Sequence, residues 1–141
     1  MTSATETSPD WAFVVSELIQ ARQTVLPKRL MDPGPDAAQT QAILAAAAAA
    51  PDHMQLLPWR FILVPADQRA TLAEVFARAL SERDPQATPE QLAQAREKAF
   101  RAPLLMLAVV DGARGDPEVD LNERILSAGC AVQNLLLMAT A

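Results

Sequence analysis

The sequence is poor in the residues that build the commonest covalent, metal and phosphate sites. Its 141 residues include one cysteine, one histidine, four glycines and no tyrosine. A single cysteine excludes an internal disulfide and a cysteine-based zinc site, and no carboxylate spacing around His53 suggests metal ligands. Four glycines exclude a glycine-rich phosphate loop, and neither G-x-G-x-x-G nor G-x-x-x-x-G-K-[ST] occurs. Any phosphate group must therefore be bound by side chains.

The charge and the apolar content limit the class of protein. Half of the residues are apolar and 21% are charged, which is typical of a globular domain. The net charge of -5 disfavours nucleic-acid binding, because an acidic protein repels a phosphate backbone. The longest clean apolar run, residues 102–110, is too short to cross a bilayer, and the polar N-terminus does not resemble a signal peptide. We therefore predict a cytoplasmic protein that binds neither nucleic acid nor membrane.

Hydrophobic periodicity predicts a mixture of helices and two short buried strands. Ser8 and Pro9 are expected to begin the first helix, as N-cap and first-turn proline. Asp36 and Gln39 form a capping-box pattern for a second helix that runs through residue 50, where Pro51 ends it. Strands are predicted at residues 61–64 and 104–110, and further helices at 67–82, 89–100 and from 121 to the end.

Two of these helices have a composition that indicates close packing. The run Ala45–Ala50 combines high helix propensity with little side-chain volume, so either a neighbouring element or a cofactor approaches this helix closely. The last helix is apolar nearly all round, which requires burial in a core or an interface. Cys130 lies in that helix and is predicted to be a small buried packing residue.

Two loops carry the polar residues that are candidates for a binding site. Arg22 and Thr24, with Gln23 between them, offer a guanidinium fork and a hydroxyl to a phosphate. The alternative is a solvated basic loop. His53 follows the second helix directly, and it either hydrogen-bonds the edge of a ligand or caps the loop that it occupies.

Four motifs, in order, resemble the FMN-dependent nitroreductases, and in particular a small NAD(P)H nitroreductase subgroup. These motifs are Arg22-Gln23-Thr24 with Pro27-Lys28, Ala50-Pro51-Asp52-His53 with Pro58-Trp59-Arg60-Phe61, Phe100-Arg101-Ala102-Pro103, and Glu123 with Ser127–Asn134. The resemblance covers residues 11–141. Gln23 stands where the subgroup usually has an arginine, which removes one positive charge from the loop.

The resemblance implies an α+β fold, with a central sheet flanked by helices and a long buried helix that forms a homodimer. FMN would lie at the dimer interface. Arg22, Gln23 and Thr24 would hold its phosphate end, and His53 would reach the flavin bound mainly by the other subunit. The flavin would take a hydride from NADH or NADPH and pass it to a nitro or quinone-type small-molecule acceptor. The flavin carries this chemistry, so no catalytic acid or base of the protein is needed.

The same resemblance implies a domain organisation. Residues 1–10 are expected to be a disordered tail, and residues 11–141 the N-terminal portion of a nitroreductase-like domain. The family continues beyond the central helix with further flavin-binding residues and strands. The sheet is therefore expected to be incomplete, and the 141-residue chain to bind FMN poorly or not at all and to show negligible activity. The alternative is a flavin-free remnant or a small dimerising module without catalytic activity.

Overall fold

The structure, a computed structural model, describes residues 9–141. Its helices are α1 (Trp11–Ala21), α2 (Ala37–Ala48), α3 (Arg69–Arg83), α4 (Pro89–Glu97) and α5 (Leu121–Met138), and its strands are β1 (Trp59–Leu63) and β2 (Met106–Val110). Short 3-10 turns occur at Pro27–Arg29, His53–Gln55, Ala66–Gln68 and Lys98–Phe100. Ser8 and most of the predicted tail over residues 1–10 lie outside the described residues.

The helix ends follow local hydrogen bonding. At the start of α2 the predicted capping box is present, because Gln39 N–H donates to Asp36 Oδ1 at 2.8 Å and Asp36 N–H donates to Gln39 Oε1 at 2.9 Å. This helix ends at Ala48 rather than at residue 50, since the residues just before Pro51 are biased away from helical geometry. The predicted start of α1 at Ser8 and Pro9 was wrong, because the helix begins at Trp11 and its cap is Asp10, whose carboxylate accepts from the N–H of Phe13 at 3.2 Å.

The two strands pair in antiparallel orientation. Trp59 lies opposite Val110 and Leu63 lies opposite Met106. Strand β1 begins two residues before its predicted start, and β2 begins two residues after its predicted start. A further hydrogen bond, from the Val64 N–H to the Leu105 carbonyl at 2.9 Å, continues the ladder. Within residues 9–141 the sheet has these two strands. An isolated two-stranded ribbon is marginally stable in water, so this one depends on the helices around it.

Helices α2 and α5 pack against each other through small side chains. Ala47 of α2 and Ala128 and Ala131 of α5 are buried. Asn134 of α5 donates from Nδ2 to the Ala46 carbonyl of α2 at 3.2 Å. The alanine-rich run therefore permits a close approach of two helices, which is the first of the two interpretations drawn from its composition.

The prediction of a buried Cys130 was wrong, since the structure places this side chain on the surface. The buried positions of α5 are Arg124, Ala128 and Ala131, which follow one helical stripe. Cys130 falls outside that stripe. The apolar composition of the helix hid this pattern, because large apolar side chains also occupy the exposed faces, including Leu121, Ile125, Leu126 and Leu136.

Arg69 joins the sheet to the segment that precedes β2. Its side chain is only 7% exposed. The guanidinium donates to the carbonyls of Val64 at 2.9 Å, Ala99 at 2.8 Å, Ala102 at 3.1 Å and Pro103 at 3.3 Å. A planar fork with five donors is the side chain best suited to several acceptors at once. Arg69, at the start of α3, therefore fixes two other backbone segments, the end of β1 and residues 99–103.

Helix α4 packs against α3, and a surface ion pair joins them. Arg96 donates to the two carboxylate oxygens of Glu74 at 2.8 and 3.1 Å. The hydrogen bonds from Arg96 lower the pKa of the Glu74 carboxyl. Both side chains are well exposed, so we expect this pair to contribute little to stability.

Helix α1 buries none of its residues. Its large apolar side chains, including Trp11 at 66% exposure, are open to solvent. A helix of this length is marginal in water without tertiary contacts. Among residues 9–141, no helix is both long and apolar enough to cross a membrane.

Candidate functional site

The loop that follows α1 brings two of the predicted site residues together. Arg22 Nη1 donates to Thr24 Oγ1 at 3.3 Å, and the Arg22 backbone N–H donates to the Leu18 carbonyl at 3.2 Å. Gln23 and Thr24 are exposed, and Arg22 is partly exposed. In the described part of the chain no carboxylate pairs with Arg22. Most of its donors are therefore open to an anion.

Two more cations follow in the same loop. Lys28 and Arg29 occupy a single 3-10 turn that begins at Pro27, and both are exposed. Arg22, Lys28 and Arg29 together give this loop a local excess of positive charge on a chain whose net charge is -5. Such a cluster suits a small anion with several acceptor oxygens.

His53 lies in a turn with an unusual backbone. Met54, Gln55 and Leu57 have positive φ values of 57°, 54° and 45°. For residues other than glycine, this conformation costs about 1–3 kcal/mol each and is concentrated at functional sites. Asp52 stabilises the turn, because its Oδ2 accepts from the Leu57 N–H at 2.5 Å. The result is a shaped loop that holds the His53 side chain at the surface.

The side chain of His53 has a specific partner. Its Nδ1 hydrogen-bonds to Oε1 of Glu123 in the first turn of α5. The side chains are 55% and 43% exposed respectively. His53 therefore contacts a carboxylate from a distant part of the sequence rather than capping the loop after α2. Glu123 belongs to the motifs of the sequence, but its contact with His53 could not be predicted from spacing.

A second buried arginine fixes the start of α5. Arg124 is 1% exposed, and it donates to the carbonyls of Val119 at 2.9 Å, Asp116 at 2.6 Å and Arg114. These bonds hold the loop that leads from β2 into α5. Because Glu123 directly precedes Arg124, the same bonds also fix the backbone position of Glu123. The burial of Arg124 could not be predicted from the sequence, since a charged residue in an apolar helix is normally expected at the surface.

The structure gives two separate polar clusters rather than one enclosed site. Arg22 contacts Thr24, and His53 contacts Glu123, with no hydrogen bond between the two pairs. An open cleft of about 740 Å³ lies between the start of α2 and the end of β1, and none of the four predicted site residues lines it. Across residues 9–141, no group of three or more His, Cys, Asp and Glu side chains is placed to hold a metal ion.

Comparison with known proteins decides the family. The sequence model of the nitroreductase family matches residues 19–141. This chain belongs to the nitroreductase family. The match includes the Arg22–Thr24 loop, the His53 turn and the whole of α5, so both polar clusters are part of the family domain.

Two relatives in this family show moderate sequence identity. The chain is 36% identical over 113 residues to the Escherichia coli K12 protein named "Putative NAD(P)H nitroreductase YdjA", covering 80% of this chain and 60% of that protein. It is 38% identical over 117 residues to a Haemophilus influenzae protein named "Putative NAD(P)H nitroreductase", covering 81% and 61%. The chain thus spans about 60% of the length of the curated relatives it matches.

Solved structures show the nitroreductase fold. A structure described as a "putative nitroreductase in complex with FMN" from Desulfovibrio desulfuricans has a TM-score of 0.63 and 24% identity, covering 94% of this chain and 63% of that one. A nitroreductase with bound FMN from Bacteroides fragilis has a TM-score of 0.64 and 24% identity, covering 89% and 64%. The predicted α+β, nitroreductase-like fold is therefore confirmed.

Proposed function

We propose that this chain provides part of the FMN site of a nitroreductase-type oxidoreductase. In the reaction proposed for this oxidoreductase, a hydride passes from NADH or NADPH to FMN and then to a nitro or quinone-type acceptor. The observation that carries the proposal is the Arg22–Thr24 pair, which offers a cation and a hydroxyl that are open to a ligand. The relatives of this chain are named NAD(P)H nitroreductases. The FMN-bound solved structures of the same fold support the choice of cofactor.

The residues present suit the phosphate end of FMN. Arg22 has most of its donors free, and Thr24 Oγ1 lies within hydrogen-bond distance of it, so both can address one group of oxygens. Lys28 and Arg29 add charge from the following turn. FMN, when bound, supplies the redox chemistry, while the loop supplies orientation and charge neutralisation. Gln23 is exposed beside them and offers a neutral amide in place of the usual cation.

His53 is the proposed contact to the remainder of the flavin. It is held at the surface by a strained turn and a side-chain partner, and neither arrangement serves the core. Because the Arg22 and His53 clusters do not meet within one chain, we propose that a second copy completes the site. The exposed apolar faces of α1 and α5 are the surfaces we assign to that homodimer.

A substitution at Arg22 tests this proposal. Arg22→Ala should weaken FMN binding by about 10- to 150-fold, because a hydrogen bond between charged groups contributes about 1.5–3 kcal/mol. Quenching of FMN fluorescence on titration with protein gives the affinity. Arg78→Ala, which removes an exposed arginine from α3, is the matched control and should leave the affinity unchanged. Equal FMN affinity in Arg22→Ala and the parent would remove Arg22 from the site.

The second candidate function is a flavin-free dimerising module. The exposed apolar faces favour association, whether or not a flavin binds. The same titration separates the two functions, since a module without a flavin site would not quench FMN at any protein concentration. Anaerobic addition of NADH or NADPH to the FMN-loaded protein, followed by a quinone or a nitroaromatic, then identifies the donor and the acceptor.

A further inference from the structure

The N3 position of a helix often carries a side chain that closes a capping box. Helices α2 and α4 both use it in this way. The Gln39 side chain accepts from the Asp36 N–H at 2.9 Å, and the Gln91 side chain accepts from the Thr88 N–H at 2.8 Å. In each case the N3 residue is a glutamine, and its side chain serves its own helix.

Helix α5 has the same spacing but a different outcome. Asp120 is the N-cap, and its carboxylate accepts from the Glu123 N–H at 2.9 Å. The reciprocal bond is missing, because the Glu123 carboxylate contacts His53 Nδ1 instead of the Asp120 N–H. Among these three helices, α5 alone has a carboxylic side chain rather than an amide at N3, and this side chain is directed away from its own helix.

Both partners of this contact are fixed independently. The backbone of Glu123 is fixed on one side by the Asp120 cap and on the other by the buried Arg124, which holds the loop before α5. The His53 turn is fixed by Asp52 and by Pro58, which is fully buried. The backbone positions of His53 and Glu123 therefore do not depend on the contact between their side chains. A contact placed in this way can control the orientation of an imidazole ring.

We propose that Glu123 is a positioning residue, which holds His53 as the Nδ1–H tautomer and presents Nε2 as a hydrogen-bond acceptor. A neutral imidazole has one donor and one acceptor nitrogen, and the hydrogen bond at one nitrogen decides the role of the other. An ionised carboxylate can only accept, so Nδ1 is the donor. Nε2 then carries the lone pair, and it is the nitrogen left for a ligand.

This assignment specifies the kind of group that His53 binds, and it rests on the proposed function. The group must be a donor, an N–H or an O–H. A flavin offers such donors in its ring imide N–H and its ribityl hydroxyls. Nitro groups and quinones offer only acceptor oxygens. An acceptor Nε2 therefore suits the flavin and does not suit the nitro or quinone oxygens.

The tautomer is measurable because His53 is the only histidine in the sequence. Ring nitrogen chemical shifts of the 15N-labelled chain without flavin, followed through a pH titration, report one residue. We expect the Nδ1–H tautomer in the parent. In Glu123→Ala the signals should shift toward the Nε2–H tautomer, which free histidine in water favours. Glu118→Ala removes an exposed carboxylate five residues earlier and should leave the parent spectrum unchanged.

A second variant controls for misfolding of Glu123→Ala. Glu123→Gln keeps a side chain that can close the capping box, as Gln39 and Gln91 do, so α5 should form normally. The released His53 should show the same tautomer shift. An Nε2–H ring or a doubly protonated ring in the parent at neutral pH would overturn the proposal. So would unchanged signals in folded Glu123→Ala, whose side chain cannot accept from Nδ1–H.

Flavin affinity separates this inference from the proposed function. If Glu123 acts through His53, Glu123→Gln should weaken FMN binding by about 2- to 13-fold, the range expected for one neutral hydrogen bond. The same change should have no effect in a His53→Ala background. Equal effects in both backgrounds would contradict the positioning role. A tautomer shift together with unchanged FMN affinity in His53→Ala would support the positioning role and refute the flavin contact.

Discussion

Arg69→Ala should lower the free energy of unfolding by about 3–6 kcal/mol, because losing two or more hydrogen bonds to a charged group costs about 1.5–3 kcal/mol each. Four backbone carbonyls receive their donors from this one buried side chain. A typical domain has only about 5–15 kcal/mol of stability in total. The substitution is therefore expected to remove a large fraction of the stability of a domain of this kind.

Urea unfolding followed by circular dichroism measures this loss. Arg78→Ala is the matched control, since it removes an exposed arginine from the same helix. Arg69→Lys keeps the positive charge but not the planar fork, so it should recover only a small part of the stability. Similar unfolding midpoints for Arg69→Ala and Arg78→Ala would show that the four carbonyl contacts contribute little.

Leu126→Asp should weaken self-association of the chain by about 30-fold or more, the effect of losing a side chain worth about 2 kcal/mol at an interface. Leu126 is 70% exposed on α5, and further large apolar side chains are exposed on the same helix and on α1. Burying each such side chain contributes about 1.5–3 kcal/mol, so leaving them in water is unfavourable. We expect the parent chain to form a dimer.

Sedimentation equilibrium gives the association constant of parent and variant. Val75→Asp introduces the same charge at an exposed apolar position of α3, outside the proposed interface, and should leave the dimer intact. A parent chain that stays monomeric at high concentration would contradict the homodimer. Equal association of the Leu126 and Val75 variants would place the interface elsewhere.

Local signals in the sequence predicted the elements and some of their ends. The Asp36 and Gln39 pattern identified the start of α2, and the Thr88, Pro89 and Gln91 pattern marks α4 in the same way. These signals are reliable because capping bonds join residues three apart. The prediction failed where burial depended on tertiary packing, as for Cys130. Its helix has large apolar side chains on more faces than the described chain covers.

The candidate site was only partly accessible to sequence reasoning. Arg22 and Thr24 are two residues apart, so the sequence identified both as candidate phosphate ligands, and the structure adds that their side chains are in contact. The His53–Glu123 contact joins residues 70 apart. No periodicity links them, and only the fold brings the turn after α2 to the start of α5. The roles of Arg69 and Arg124 were missed for the same reason, since their acceptors are backbone carbonyls that any sequence has.

The central claim, that the Arg22–Thr24 loop binds the phosphate of FMN, is tested most directly by titrating FMN and riboflavin into the parent chain in parallel. The two flavins share the ring and the ribityl chain, and they differ in the phosphate. A dissociation constant near 1 mM corresponds to only about -4 kcal/mol, which a few charge-assisted contacts can supply even in a weak site. We predict that the chain binds FMN with at least about tenfold higher affinity than riboflavin, as measured by quenching of the flavin fluorescence. Added salt should reduce this difference in affinity. Equal affinity for the two flavins, or no binding of either, would contradict it.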